Sequence, residues 1–238
     1  MDKLLYIGWM ILASYCSLLV ADNELIIDNM SGANFNLTVT QVGAENIIKC
    51  YNTSSCYVDG DDIVLDLYQK NPNGNTSTIE IWHIEGDDNT VRWGQGVSLD
   101  DSSDTTFNTS DNTEAGGHYA RFDIHGTNNN VIGYQKNNTN TYGHVFNSLI
   151  WSDYNDIWIE QKGNGRKTLN LTTYSDSNDV SIKQSGGGAW HTATITLDGT
   201  QPTTLTLNQT ATTAQSYSLS QNCQTTGGCT ISVSQGGG

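Results

Sequence analysis

Proline is almost missing from this chain, at 2 residues in 238, and charge is thin, at 15% of residues. Pro72 and Pro202 both fall in polar connections, so nothing inside the apolar segments removes a backbone donor. After residue 21 no segment holds an apolar helical period through three turns, which excludes a helical bundle or an α/β layer. Basic residues number 10 against 25 acidic ones, and the resulting net charge of -15 argues against nucleic acid or an anionic membrane as partner. Beyond Asp198 there is no charged side chain at all. Catalytic spacing is lacking too. The histidines, His83, His118, His125, His144 and His191, follow no zinc or triad pattern, and no nucleophile elbow or phosphate-binding loop occurs. Asp59, Asp61, Asp62, Asp87 and Asp88 are formal candidates for polysaccharide cleavage or Ca²⁺ binding, but Asp in turns is already explained by its bonds to local backbone. The expectation is a non-enzyme with no cofactor and no metal.

What the chain has in quantity is glycine, at 24 residues, with abundant Asn, Ser and Thr. Such a composition favours many short strands joined by tight turns. The stretch Asn155 to Gly163 shows the unit: in an extended chain Asn155, Ile157, Ile159 and Gln161 share one face, while Asp156, Trp158, Glu160 and Lys162 share the other. Asn178, Val180, Ile182 and Gln184 repeat it. Two apolar residues at four and two positions before a Gln recur at Gln41, Gln69, Gln95, Gln209, Gln221 and Gln235, and partly at Gln135, where Gly133 takes the second place. Successive spacings are 28, 26, 40, 26, 23, 25, 12 and 14 residues. A spacing in the twenties fits two strands and two turns, and the gap of 40 holds an insertion.

Intervening strands end in Gly: Trp82, Ile84 and Gly86; Ala120, Phe122, Ile124 and Gly126; Ala193, Ile195, Leu197 and Gly199. The expected fold is therefore an all-β, single-domain β-solenoid of about seven or eight irregular coils over 22–238, with an acidic surface insertion at 97–117. If coils stack at about 4.8 Å, each inward Gln lies over another, and amides bond along the stack while Ile, Leu and Val pack between them. A buried amide is tolerated only with a partner, and an identical neighbour supplies one. Between 137 and 151 the register stays open, since Val145, Leu149 and Trp151 compete with Phe146 and Ile150.

Lys3 precedes an apolar run from Leu4 to Val20, and the chain turns polar at Asp22, as an export signal cleaved after Ala21 would; a retained membrane anchor is the alternative. Membrane contact is then expected during export, and the mature chain is expected outside the cell or on its surface. Cys50 with Cys56, and Cys223 with Cys229, form two local pairs in turn-like loops, read as disulfides, with metal binding the alternative.

The strands at Asn34 to Gln41 with Gly43 and Asn46, Asn155 to Gln161 with Gly163, Asn178 to Gln184 with Gly186, and Gln215 to Gln221 resemble the curlin repeat of bacterial curli-type fibre subunits. The resemblance covers most of 34–95 and 129–238 and implies a secreted subunit, or a nucleator, of an amyloid-type fibre in adhesion and biofilm matrix. Its partners would be further copies or related subunits. From the residues themselves, the charge-free end places the assembly edge at Thr230, Ile231, Ser232, Val233, Ser234 and Gln235, because exposed edges are normally guarded by charge or proline. The other reading is a monomeric solenoid adhesin or glycan-binding module on a cell or virus surface, holding surface glycans with its acidic face, Trp158 and Trp190.

Overall fold

The computed structural model describes residues 5–7, 14–19, 24–43, 46–50, 57–70, 76–96, 98–99, 107–108, 117–137, 143–186, 190–199, 203–210, 213–223 and 228–236. Strands with this alternation bury one face each, and two such faces laid against each other close a flattened parallel β-solenoid. One arm of each turn ends in Gln: Asn34–Val42, Asp62–Lys70, Asp88–Gln95, 128–135, 154–161, 177–184, Thr203–Gln209 and Thr230–Ser234, each parallel to the next. The return arm runs through Glu24–Ile27, Asn46–Cys50, Thr76–Glu85, 117–126, 145–152, 166–174, Trp190–Asp198 and Tyr217–Asn222. Parallel pairing always needs a crossover, and here each arm is the crossover of the other. From the layer of Gln41 to that of Gln209 the stack runs through about six turns, slightly under the seven or eight expected from spacing.

The core lies between the arms. Leu37, Leu65, Val91, Val131, Ile157, Val180, Leu205 and Ile231 form one column of the Gln arm, and all but the end members Leu37 and Ile231 are fully buried. On the return arm Phe146, Ser148 and Ile150 face inward, which settles the register between 137 and 151. Phe146 is fixed there by stacking on the buried Trp93 indole, at 5.0 Å between centroids. That indole also explains Gly133: a Cβ at position 133 would stand 2.3 Å from the Trp93 ring.

Turns are as constrained as arms. At the corner entering the Gln arm, Gly60, Gly86 and Gly126 stack so closely that a Cβ on Gly126 would meet the Gly86 carbonyl oxygen at 2.0 Å. At the other end Gly163 has φ +101°, so Gln-x-Gly marks where the chain leaves the sheet through a conformation L side chains rarely adopt. In Thr76–Glu85 the expected alternation through Trp82 is displaced. Ile79, Ile81 and Ile84 are the inward residues, and a bulge sets Trp82 and His83 together opposite Asp123. On the outward face, Arg92 donates from Nε and Nη2 to the two carboxylate oxygens of Asp66 at 2.5 and 2.7 Å.

Of the expected leader, Leu5–Ile7 runs parallel to Leu25–Ile27 and Ser14–Leu19 to Leu37–Val42. Most of 97–117 lies outside the described residues; within it Ser98–Leu99 pairs antiparallel with Phe107–Asn108.

Candidate functional site

Seven glutamines stand in one column and bond along it. Gln69 donates Nε2–H to Gln41 Oε1 at 3.0 Å, Gln95 to Gln69 at 3.0 Å, Gln135 to Gln95 at 2.8 Å, Gln161 to Gln135 at 2.7 Å, Gln184 to Gln161 at 2.7 Å and Gln209 to Gln184 at 2.9 Å. Each of the seven Nε2 groups, that of Gln41 included, donates to a carbonyl near the start of the following return arm: Ile47, Thr78, Tyr119, Val145, Thr168, Thr192 and Ser216. That bond fixes the orientation of each amide, and it closes turns of very different length. Gln95 reaches across 24 residues to Tyr119 O, so the excursion between them leaves the stack in register.

A shorter asparagine ladder runs at the other end of the Gln arm, with opposite polarity. Asn89 donates to Asn129 Oδ1 at 2.9 Å, Asn129 to Asn155 at 3.1 Å, and Asn155 to Asn178 at 3.0 Å. Glutamines thus donate toward the N-terminal layers and asparagines toward the C-terminal ones. Both ladders stop short of the C-terminal layer: Gln209 Oε1 and Asn178 Nδ2 are buried and have no bonding partner among the described residues.

Two expected rungs are corrected. Gln221 belongs to the return arm, where Tyr217 and Leu219 continue the columns of Ala193 and Ile195, so it lies over Leu197 rather than Gln209. Gln235 does follow the register of the Gln arm, one residue past the Asn208 and Ser234 pair, but it is exposed and its amide makes no bond to Gln209. Cys223 and Cys229 form a disulfide with 6.1 Å between Cα atoms, closing the turn between the last two strands. Cys56 and the side chain of Cys50 lie outside the described residues.

The expected assembly edge is unpaired on its outer side. Thr230–Ser234 pairs with 204–208 on one side and with no described strand on the other, and every residue from Thr230 to Gln235 is exposed. Ile231 and Val233 carry on the columns of Leu205 and Leu207, yet each is 40% exposed. The core simply ends there uncovered.

A third, ionisable column was missed by sequence reasoning. His118, His144, Lys167 and His191 follow one another at the start of successive return arms, all buried. Burial pushes the His118 imidazole down to about 3 and Lys167 down to about 8. His144 is held well below the usual histidine range by burial and by His118 and Lys167, and His191 is lowered for like reasons. The period of 23 to 26 residues between them was the available signal.

Asp61, Asp62, Asp87 and Asp88 are exposed corner residues, with Asp88 Oδ1 accepting from Asn128 Nδ2 at 2.7 Å. Trp158 is half-buried against Tyr134 on the Gln arm, and Trp190 is 60% exposed on the return arm, so the two share no platform. No family model, curated protein or solved structure matches this chain.

Proposed function

We propose that the chain is a structural subunit which adds end to end into an extracellular fibre of curli type, each copy seating its first Gln-arm strand on the last one of the copy before. The observation that carries this reading is the uncovered core at Ile231 and Val233, on a segment with no charge to repel a second copy. Register supports it. Thr38, Asp66, Arg92, Ile132, Trp158, Ser181, Thr206 and Ser232 stand in one column, so a second copy continuing the stack sets Leu37 over Ile231, Thr38 over Ser232, Val39 over Val233 and Gln41 over Gln235.

In this reading the leader 1–21 is removed on export. While present, its strand Ser14–Leu19 occupies the edge that the incoming copy needs. Sedimentation velocity of 22–238 is therefore expected to give concentration-dependent polymers with a thioflavin response, and the chain retaining 1–21 to give far less. Lysine at both Ser232 and Ser234 places like charges on the edge and should leave 22–238 monomeric. A monomer at high concentration without thioflavin response removes the proposal.

A further inference from the structure

We propose that His83, Asp123 and His125 form a binding site for a divalent transition-metal ion, with Glu85 at its rim. The two histidines lie 42 residues apart, and stacking of successive turns brings their rings to 4.5 Å between centroids. One donor atom each from His83, Asp123 and His125 fall within 4.8 Å of one another. His83 Nε2 is 3.1 Å from Glu85 Oε2, and His125 Nε2 is 3.0 Å from Asp123 Oδ1. Both imidazoles thus already turn a nitrogen toward a carboxylate.

The bulge builds this arrangement. Ile81 pairs with Phe122 and Ile84 with Ile124, so the chain fits two residues, Trp82 and His83, against Asp123 alone. In an unbulged strand, position 83 would share the inward face of Ile81; the extra residue swings His83 outward, beside His125. It does so with φ 63° at His83, a conformation that a β-carbon disfavours. Neighbouring rings hold the pair in place. Tyr57 meets His83 edge-on at 4.6 Å, and Trp151 stacks on His125 at 6.1 Å.

Two imidazole nitrogens and a carboxylate oxygen are donors that suit Zn²⁺, Cu²⁺ or Ni²⁺ better than Ca²⁺ or Mg²⁺. A bound ion would draw the three donors to about 2.0–2.2 Å from itself. His83, His125 and Asp123 side chains are 26%, 33% and 25% exposed, so an ion can enter from solvent and keep water in its remaining positions.

Calorimetric titration of the intact chain with ZnCl₂ tests this. The expected result is one ion per chain, an accompanying rise in Tm, and no comparable heat with CaCl₂. His125→Ala and His83→Gly should each weaken binding at least about tenfold. Glycine is chosen at 83 because it accepts the positive φ, so the bulge survives the loss of the imidazole. A β-rich circular dichroism spectrum equal to that of the parent checks the fold of both variants. Absence of zinc binding, or binding unchanged in both variants, overturns the site.

Discussion

Gln161 donates to Gln135 and to the Thr168 carbonyl and accepts from Gln184, so a single side chain there carries both directions of the ladder and one turn. Gln161→Leu would strip Gln135 Oε1 and the Gln184 amide of a partner inside the core. We expect a loss of ~2–4 kcal/mol in urea unfolding. Gln221→Leu is the control, since its buried Nε2 has no partner among the described residues and its neighbour beneath is Leu197. That change should be neutral or slightly stabilising, and equal losses at the two positions would contradict the ladder's role. Gly133→Ala tests packing in the same way. Its methyl must displace the Trp93 indole, which is also stacked on Phe146, so about 1–3 kcal/mol should be lost, read by the same unfolding curves.

At the scale of the strand, the return arms begin with the buried His118, His144, Lys167 and His191 column, and this makes the fold sensitive to acid. The folded His118 binds its proton only near 3, against about 6.5 in the unfolded chain, so the unfolded state binds more protons between those values. Stability therefore falls as pH falls through that window. From His118 alone the loss is roughly 2 kcal/mol at pH 5. Lys167 behaves alike at higher pH: stability should rise between about 8 and 10.5 as the unfolded lysine gives up its proton. Thermal unfolding of the parent and of His118→Phe at pH 7 and pH 5 checks the first claim, the variant being expected to lose less on acidification. Strands also mark how far sequence reading reaches. Alternation found the arms and the Gln spacing found the turns, because a buried amide must meet its like one turn away. Alternation could not say which arm a strand joins, so Tyr217, Leu219 and Gln221 read as a rung while lying on the return arm. Nor could it show the bulge, since one extra residue in Thr76–Glu85 depends on the neighbouring strand at Asp123. His83 and His125 meet only through that bulge and across the longest insertion in the chain, so no spacing rule joined them.

Over the whole molecule the two ends differ. The acidic body, with 21 acidic and 5 basic residues from Asp22 to Glu160, gives way to an uncharged C-terminal stretch after Asp198. In the proposed fibre, charge of one sign would keep bodies apart sideways, and the neutral end would leave the axial direction open. Growth by stacking would then lengthen each ladder and cover Ile231 and Val233 without any new type of contact. The disulfide between Cys223 and Cys229 ties the end of Tyr217–Asn222 to the start of Thr230–Ser234. The most direct measurement is a register-specific cross-link between copies of 22–238. One copy carries Ser232→Cys and the other Thr38→Cys, mixed under mild oxidation and read by mass spectrometry. Stacked neighbouring strands lie about 4.8 Å apart, within reach of a disulfide. The account predicts a 38–232 link between different copies and little when the cysteine is moved from 38 to 36. Links formed equally at both positions, or none in a polymer that does form, would contradict it.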